Sequence, residues 1–210
     1  MLRLLLKLLK KPFPENHNFL IYYTLTNEID KCIEVLNAGE IILYPTDTVW
    51  GLGCDATNEV AVKKIYTLKQ RSESKSLIIL VNNDAMLQKH VTEVSDLAWD
   101  LIDLTTSPTT IIFPNAKNLA KNVIATDGSI AIRMIKEGFC YQLMQKFRKP
   151  LVSTSANISN MPTPLTFNDI SKEIISNVAY VVDASLDNGT HQPSALIKLG
   201  VNGEVEVLRK

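Results

Sequence analysis

Leu77-Ile78-Ile79-Leu80-Val81 is a continuous apolar run with no polar alternate, the pattern of a strand buried on both faces. A chain containing it must supply covering elements on each side, and its neighbours read that way. Glu28–Asn37 has a helical period, with Ile29, Ile33 and Leu36 inward and Gly39 as C-cap. Ile41–Tyr44 is an apolar strand that runs into the hydroxyl-rich turn Pro45-Thr46-Asp47-Thr48. Gly51 and Gly53 then read as positions where backbone can approach a ligand. A helix follows with Val60, Ala61, Ile65 and Leu68 on one side, closing on Lys69-x-Arg71, with Lys75 one short loop further on.

Downstream, Asp84 can cap a short helix to His90, and Val94–Leu104 reads as a longer helix around Leu97, Trp99 and Leu101. Thr109–Phe113 and Ile130–Ile135 are strands, the second carrying Arg133, and residues 116–123 between them read as helical. Phe139–Phe147 is a helix before the strand Leu151–Ser153 and a second hydroxyl-rich turn, Thr154–Asn160. Phe167–Ser176 is expected to be helical with Thr166 or Asn168 as cap, Tyr180–Asp183 a strand, and Leu186–Pro193 a polar loop. Ala195–Leu199 and Val205–Leu208 form a hairpin around Asn202-Gly203. The expectation is one α/β (α+β) domain: a twisted mixed sheet, flanking helices and a central cationic groove. Both hydroxyl-rich turns leave strand ends, where ligand crevices of such sheets lie.

Composition narrows the function classes. Lysine plus arginine equals aspartate plus glutamate at 22 each, so no global field recruits nucleic acid or membrane. Cys32, Cys54 and Cys140 are an odd, scattered set, read as reduced thiols of a cytoplasmic protein. His17, His90 and His191 are equally dispersed, which argues against a metal site. Residues 1–20 are set apart as an N-terminal extension, poorly ordered, and 21–210 as the domain. The leucine run in that extension is too short to span a bilayer and lacks a small-residue cleavage site.

The chemistry-bearing residues fall into separate groups. Lys69 and Arg71 can simply complement a helix C-terminus, but with Lys75 they put three cations near one strand end, suited to phosphate or carboxylate. Ser153, Ser155, Asn157 and Ser159 form a small-residue turn able to present hydroxyls and N–H groups to an anion. Arg133 inside an apolar strand must reach water, a carboxylate or a ligand. There is no G-x-x-x-x-G-K-[ST], no G-x-G-x-x-G and no G-x-S-x-G. Phosphates would therefore be held by side-chain cations and the serine-rich turn.

In order along the chain, PTDTVWGLGCDA, KQR with a later lysine, SIAIR, PLVSTSANIS and PSALIKL resemble the YrdC-like threonylcarbamoyl-adenylate synthase family, short bacterial type. The resemblance runs from about Gly39 to Leu208. It implies an enzyme that joins L-threonine, bicarbonate (or CO2) and ATP into L-threonylcarbamoyl-AMP and pyrophosphate. The product would pass to a tRNA threonylcarbamoyl-transferase complex, with tRNA or double-stranded RNA as a further contact and no membrane partner. The family tetrad carries over to Lys69, Arg71, Ser155 and Asn157 as catalytic residues. Thr46, with Lys69 and Arg71, falls on the threonine side. Lys75, Arg133, Ser153, Ser155, Asn157 and Ser194 fall on the ATP side. Mg2+ would travel with ATP, with no protein-built metal site. Departures are Trp50 for a usual tyrosine, Ser76 for proline, Asn160 for glycine, and Ile135 after Met134 where proline is common. Rival readings are a YrdC-like RNA-binding module without catalysis, and a paralogue that activates another carbamoyl donor or amino acid.

Overall fold

The computed structural model describes residues 17–73, 77–200 and 204–210, with backbone alone for 17–23. Lys75 and the Asn202-Gly203 turn lie outside the described residues, as does the extension before His17. In chain order the elements are α1 (His17–Asn37), β1 (Ile42–Tyr44), β2 (Gly51–Asp55), α2 (Glu59–Leu68), β3 (Ile78–Val81), α3 (Asp84–His90), α4 (Asp96–Leu104), β4 (Thr109–Phe113), β5 (Ile130–Met134), α5 (Gly138–Phe147), β6 (Leu151–Ser155), α6 (Lys172–Ser176), β7 (Tyr180–Val181), β8 (Ala195–Leu199) and β9 (Val205–Arg209).

All described strands join one mixed sheet in the order β7-β1-β2-β6-β3-β5-β4-β8-β9. β1 with β7, β3 with β5 and β4 with β8 are parallel, and the other pairs antiparallel. The pleat sorts side chains into two cores. Leu43, Leu52, Ile79, Val81 and Val152 pack with Ala61, Ile65 and Leu87 on one face. Ile42, Tyr44, Leu80 and Leu151 pack with Ile29, Leu36, Leu143 and Met144 on the other. This two-sided cover is what the apolar run at 77–81 demands. Among the described residues no helix is long and apolar enough to cross a membrane.

Several local expectations change for identifiable reasons. Gly51 and Gly53 belong to a fully buried strand, in which Gly51 lines a hollow of about 210 Å3 and Gly53 does not. A Cβ on Gly53 would stand 2.5 Å from the Tyr44 ring and 3.0 Å from Val152 O, so this glycine makes room for an aromatic ring. Val60 faces outward at 68% exposure, and Ala61, Val62, Ile65 and Tyr66 form the inner face of α2. Residues 116–123 keep only a single 3-10 turn, Lys121–Val123, because Asn115 and Asn118 are left-handed and Ala116 bridges to Val91. The helix expected at 167–176 splits into a 3-10 turn closed by a Thr166–Asp169 capping box and the Ser171-capped α6. α3 is capped by Asn83 rather than Asp84, and α4 starts at Asp96 under a Ser95 cap. β7 ends at Val181, and α1 begins at His17, so a boundary at residue 20 falls inside a helix.

His90 closes α3 at 1% exposure, and neither ring nitrogen has a hydrogen-bond partner among the described residues. Burial, mainly, holds its pKa below the ordinary value. Unfolded chains bind the proton near pH 6.5, the folded chain only lower. Stability is therefore full above about 6.5 and falls, by at most about 1.4 kcal/mol per pH unit, as pH drops toward the folded value. Thermal melts at pH 7.5 and 5.5 should show this loss, and His90→Phe should remove the histidine-linked part of it.

Candidate active site

The site follows from strand register. Cross-strand partners share a face, and the chain Gly51–Ser155, Gly53–Ser153, Ser153–Ile78, Ile78–Ala131, Leu80–Arg133 and Arg133–Thr110 runs across five adjacent strands. Small and polar groups thus replace bulk over part of the α1/α5 face and leave a hollow of about 210 Å3. Thr46, Thr48, Arg71, Arg133, Ser153, Ser155, Thr163, Ser194 and Arg209 contribute to its walls, with Val49, Trp50, Leu77, Ile78 and Pro193 as the apolar part. Arg71 leaves the end of α2, Arg133 the middle of β5, and Arg209 the edge strand β9.

Arg133 is 4% exposed, and its Nη2 lies 2.9 Å from Asp47 Oδ1. The contact is an ion pair without hydrogen-bond alignment: neither Asp47 Oδ1 nor Arg133 Nε has a hydrogen-bond partner among the described residues. A buried guanidinium with an unused N–H at a cavity wall is arranged for an anion. Arg209 donates from Nε to Ser194 O at 2.8 Å and from Nη2 to Ser194 Oγ at 3.4 Å, and Ser194 Oγ shares a 2.7 Å hydrogen bond with Thr110 Oγ1. Burial and then the charge of Arg133 pull the Arg209 pKa down, as expected of two cations facing one hollow.

Lys69 and Asn157 do not line this cavity. Lys69 Nζ, at 2% residue exposure, donates to Ser155 O at 2.5 Å, Asn157 O at 2.6 Å and Asn157 Oδ1 at 3.4 Å. Ser159 N returns a bond to Lys69 O at 2.8 Å. Burial, and after it the Arg71 charge, push the Lys69 pKa down to about 7. Three oxygens around Nζ oppose both effects, since a neutral amine has only two N–H groups to offer them. Asn157 gives both amide hydrogens to its own turn, at Ile158 O (3.0 Å) and Met161 O (2.6 Å), and accepts the Ser155 hydroxyl at 2.5 Å. The pair therefore builds the turn that presents Ser155. The Thr46 hydroxyl is likewise spent locally, donating to Val49 O at 2.7 Å and accepting Thr48 N at 3.0 Å.

Asp47, Thr110 and Arg209 escaped the sequence reading. Asp47 is the one charge in the Pro45–Thr48 turn, a signal open to notice; Arg209 ends an exposed strand with nothing local to mark it. A second hollow of about 300 Å3 shares Thr46 with the first, is lined by Asp47 as well, and opens toward Thr105, Lys136, Phe139 and Asn188, without the arginines.

A sequence profile of the Sua5/YciO/YrdC family, described as Telomere recombination, matches residues 34–210. The chain is 38% identical over 180 residues to a threonylcarbamoyl-AMP synthase of Pseudoalteromonas translucida, covering 84% of this chain and 95% of that one. It is 32% identical over 180 residues to the protein of that name from Shigella flexneri, covering 84% and 93%. P. abyssi Sua5 complexed with L-threonine superposes with a TM-score of 0.72 at 27% identity, over 81% of this chain and 50% of that one. This chain thus spans half the length of the Sua5 chain. E. coli YciO shares the fold, with a TM-score of 0.73 at 20% identity over 87% and 88% of the two chains. Profile, relatives and sheet agree that the chain belongs to the Sua5/YciO/YrdC family.

Proposed function

We propose that the chain is an L-threonylcarbamoyladenylate synthase, a nucleotidyltransferase that makes L-threonylcarbamoyl-AMP for tRNA modification in the cytoplasm. The observation that carries this reading is the convergence of Arg71, Arg133 and Arg209 on a hydroxyl-walled hollow. The names of the relatives and the L-threonine complex of P. abyssi Sua5 support the choice of substrates.

Threonine's amine attacks carbon dioxide, forms the N–C bond and loses a proton, giving the N-carboxylate. A carboxylate oxygen then attacks the α-phosphorus of ATP, and the bond to pyrophosphate breaks. Two anions must meet, so positive charge and positioning carry the catalysis. A hollow of about 210 Å3 lies below the roughly 300–1,000 Å3 of drug-sized sites and suits an amino acid. Arg133, with Ser194 and Thr46, is accordingly assigned to threonine rather than to the adenylate. Arg71 and Ser155, on the side toward the Lys69-held turn, face the phosphoryl group, with Lys75 assigned there through the family resemblance alone. Lys69 and Asn157 shape that turn. Mg2+ arrives with ATP.

Pyrophosphate release measured with threonine, bicarbonate and ATP omitted in turn tests this reading. Strict dependence on all three is expected. Release without threonine would favour a paralogue with another substrate, and salt-sensitive RNA binding without release would favour a binding module. Arg71→Ala is expected to lower kcat/KM by about 2–3 kcal/mol, on the order of 10²-fold, as an oxyanion-type donor does; normal turnover would remove it from the site.

A further inference from the structure

We infer that Asp187 and Gly189 are positioning residues: they strap loop 187–194 onto the Thr46–Trp50 segment and so set Ser194 at the cavity wall. The inference rests on the synthase reading for its kinetic arm alone. Trp50, fully buried, donates its indole N–H to Asp187 Oδ2 at 2.7 Å, across 137 positions. The other carboxylate oxygen accepts Gly189 N at 3.1 Å, which turns the loop back on itself. Gly189 then lies so close that a Cβ would stand 2.6 Å from Thr48 O and 2.7 Å from Thr46 O. Backbone bonds continue the seam, from Thr190 N to Asp47 O at 3.1 Å and from His191 N to Thr48 O at 2.8 Å.

These tethers are polar, and residues 190–193 are exposed, so no buried apolar side chain fixes that stretch. Such a segment opens at low cost, whereas Ser194 just beyond it is 3% exposed and bonded to Thr110. The Asp187 carboxylate is thus the latch of a strap whose far end forms the substrate wall.

The test uses the whole chain in a Trp99→Phe background, so that Trp50 alone reports. Asp187→Ala should raise the threonine KM by about ten-fold or more with a much smaller change in kcat, the loss expected of a charge-assisted hydrogen bond that positions a substrate wall. Its emission should shift to the red as the indole gains water. Asp187→Asn keeps an acceptor oxygen and should recover most of both. Gly189→Ala should reproduce the KM defect with Asp187 intact. Unchanged KM and emission in Asp187→Ala would overturn the inference. So would a lower Tm with a proportionate loss of active enzyme and no change in KM, since the contact would then only support the fold. If the wild type releases no pyrophosphate the synthase reading fails, and the emission of Asp187→Ala and Asp187→Asn still decides the strap.

Discussion

Lys69→Met is expected to cost about 2–4 kcal/mol of stability and to lower kcat/KM by on the order of 10²-fold, although the residue does not line the candidate hollow. Its ammonium ties the end of α2 to the carbonyls of Ser155 and Asn157. Methionine fills much of the same space but takes its donor from Asn157 O, at about 1–3 kcal/mol, and leaves Ser155 O with Asn157 N alone at 2.9 Å. The turn then loosens, and Ser155 loses the position that the Asn157 amide sets. Arginine should rescue poorly, because its planar fork cannot place three donors where a compact ammonium does. Urea unfolding alongside pyrophosphate release separates the two effects: activity lost at full stability would put Lys69 in direct contact with substrate instead.

Asp47→Ala should be comparably severe through the opposite charge. It strips Arg133, a buried cation, of its one ion-pair partner among the described residues. Breaking a fully buried pair costs about 3–5 kcal/mol. Asp47 keeps 28% of its side-chain surface open, so about 2–4 kcal/mol is the expectation here. The guanidinium would also swing toward water, raising the threonine KM. Saturating threonine should return part of the lost stability, because its carboxylate supplies the missing negative charge. A threonine-independent melt would detach Arg133 from the amino acid.

The sequence exposed the fold where pattern alone decides it. Ile78–Val81, Thr109–Phe113 and Ile130–Met134 are strands because apolar, β-branched runs have nowhere else to go. β2 was illegible because Gly51 and Gly53 carry no strand preference, and their placement answers to the ring of Tyr44. The motif letters brought Arg71, Arg133, Ser153, Ser155 and Ser194 to one cavity. They did not separate residues that face the hollow from Lys69 and Asn157, which hold its rim, because that division depends on where hydrogen bonds end. Pairs such as Asp47–Arg133 and Trp50–Asp187 are distant in the chain, and no local pattern says which partner each residue will meet.

The position of β6 bears on how the protein is made. It lies between β2 and β3, which begin 100 and 73 residues earlier in the chain and have no direct ladder to each other. Until Leu151–Ser155 leave the ribosome, two apolar strands expose open backbone edges to every other nascent chain nearby. Slowing translation before that point should increase reliance on chaperones, whereas a pause after β6 should be tolerated.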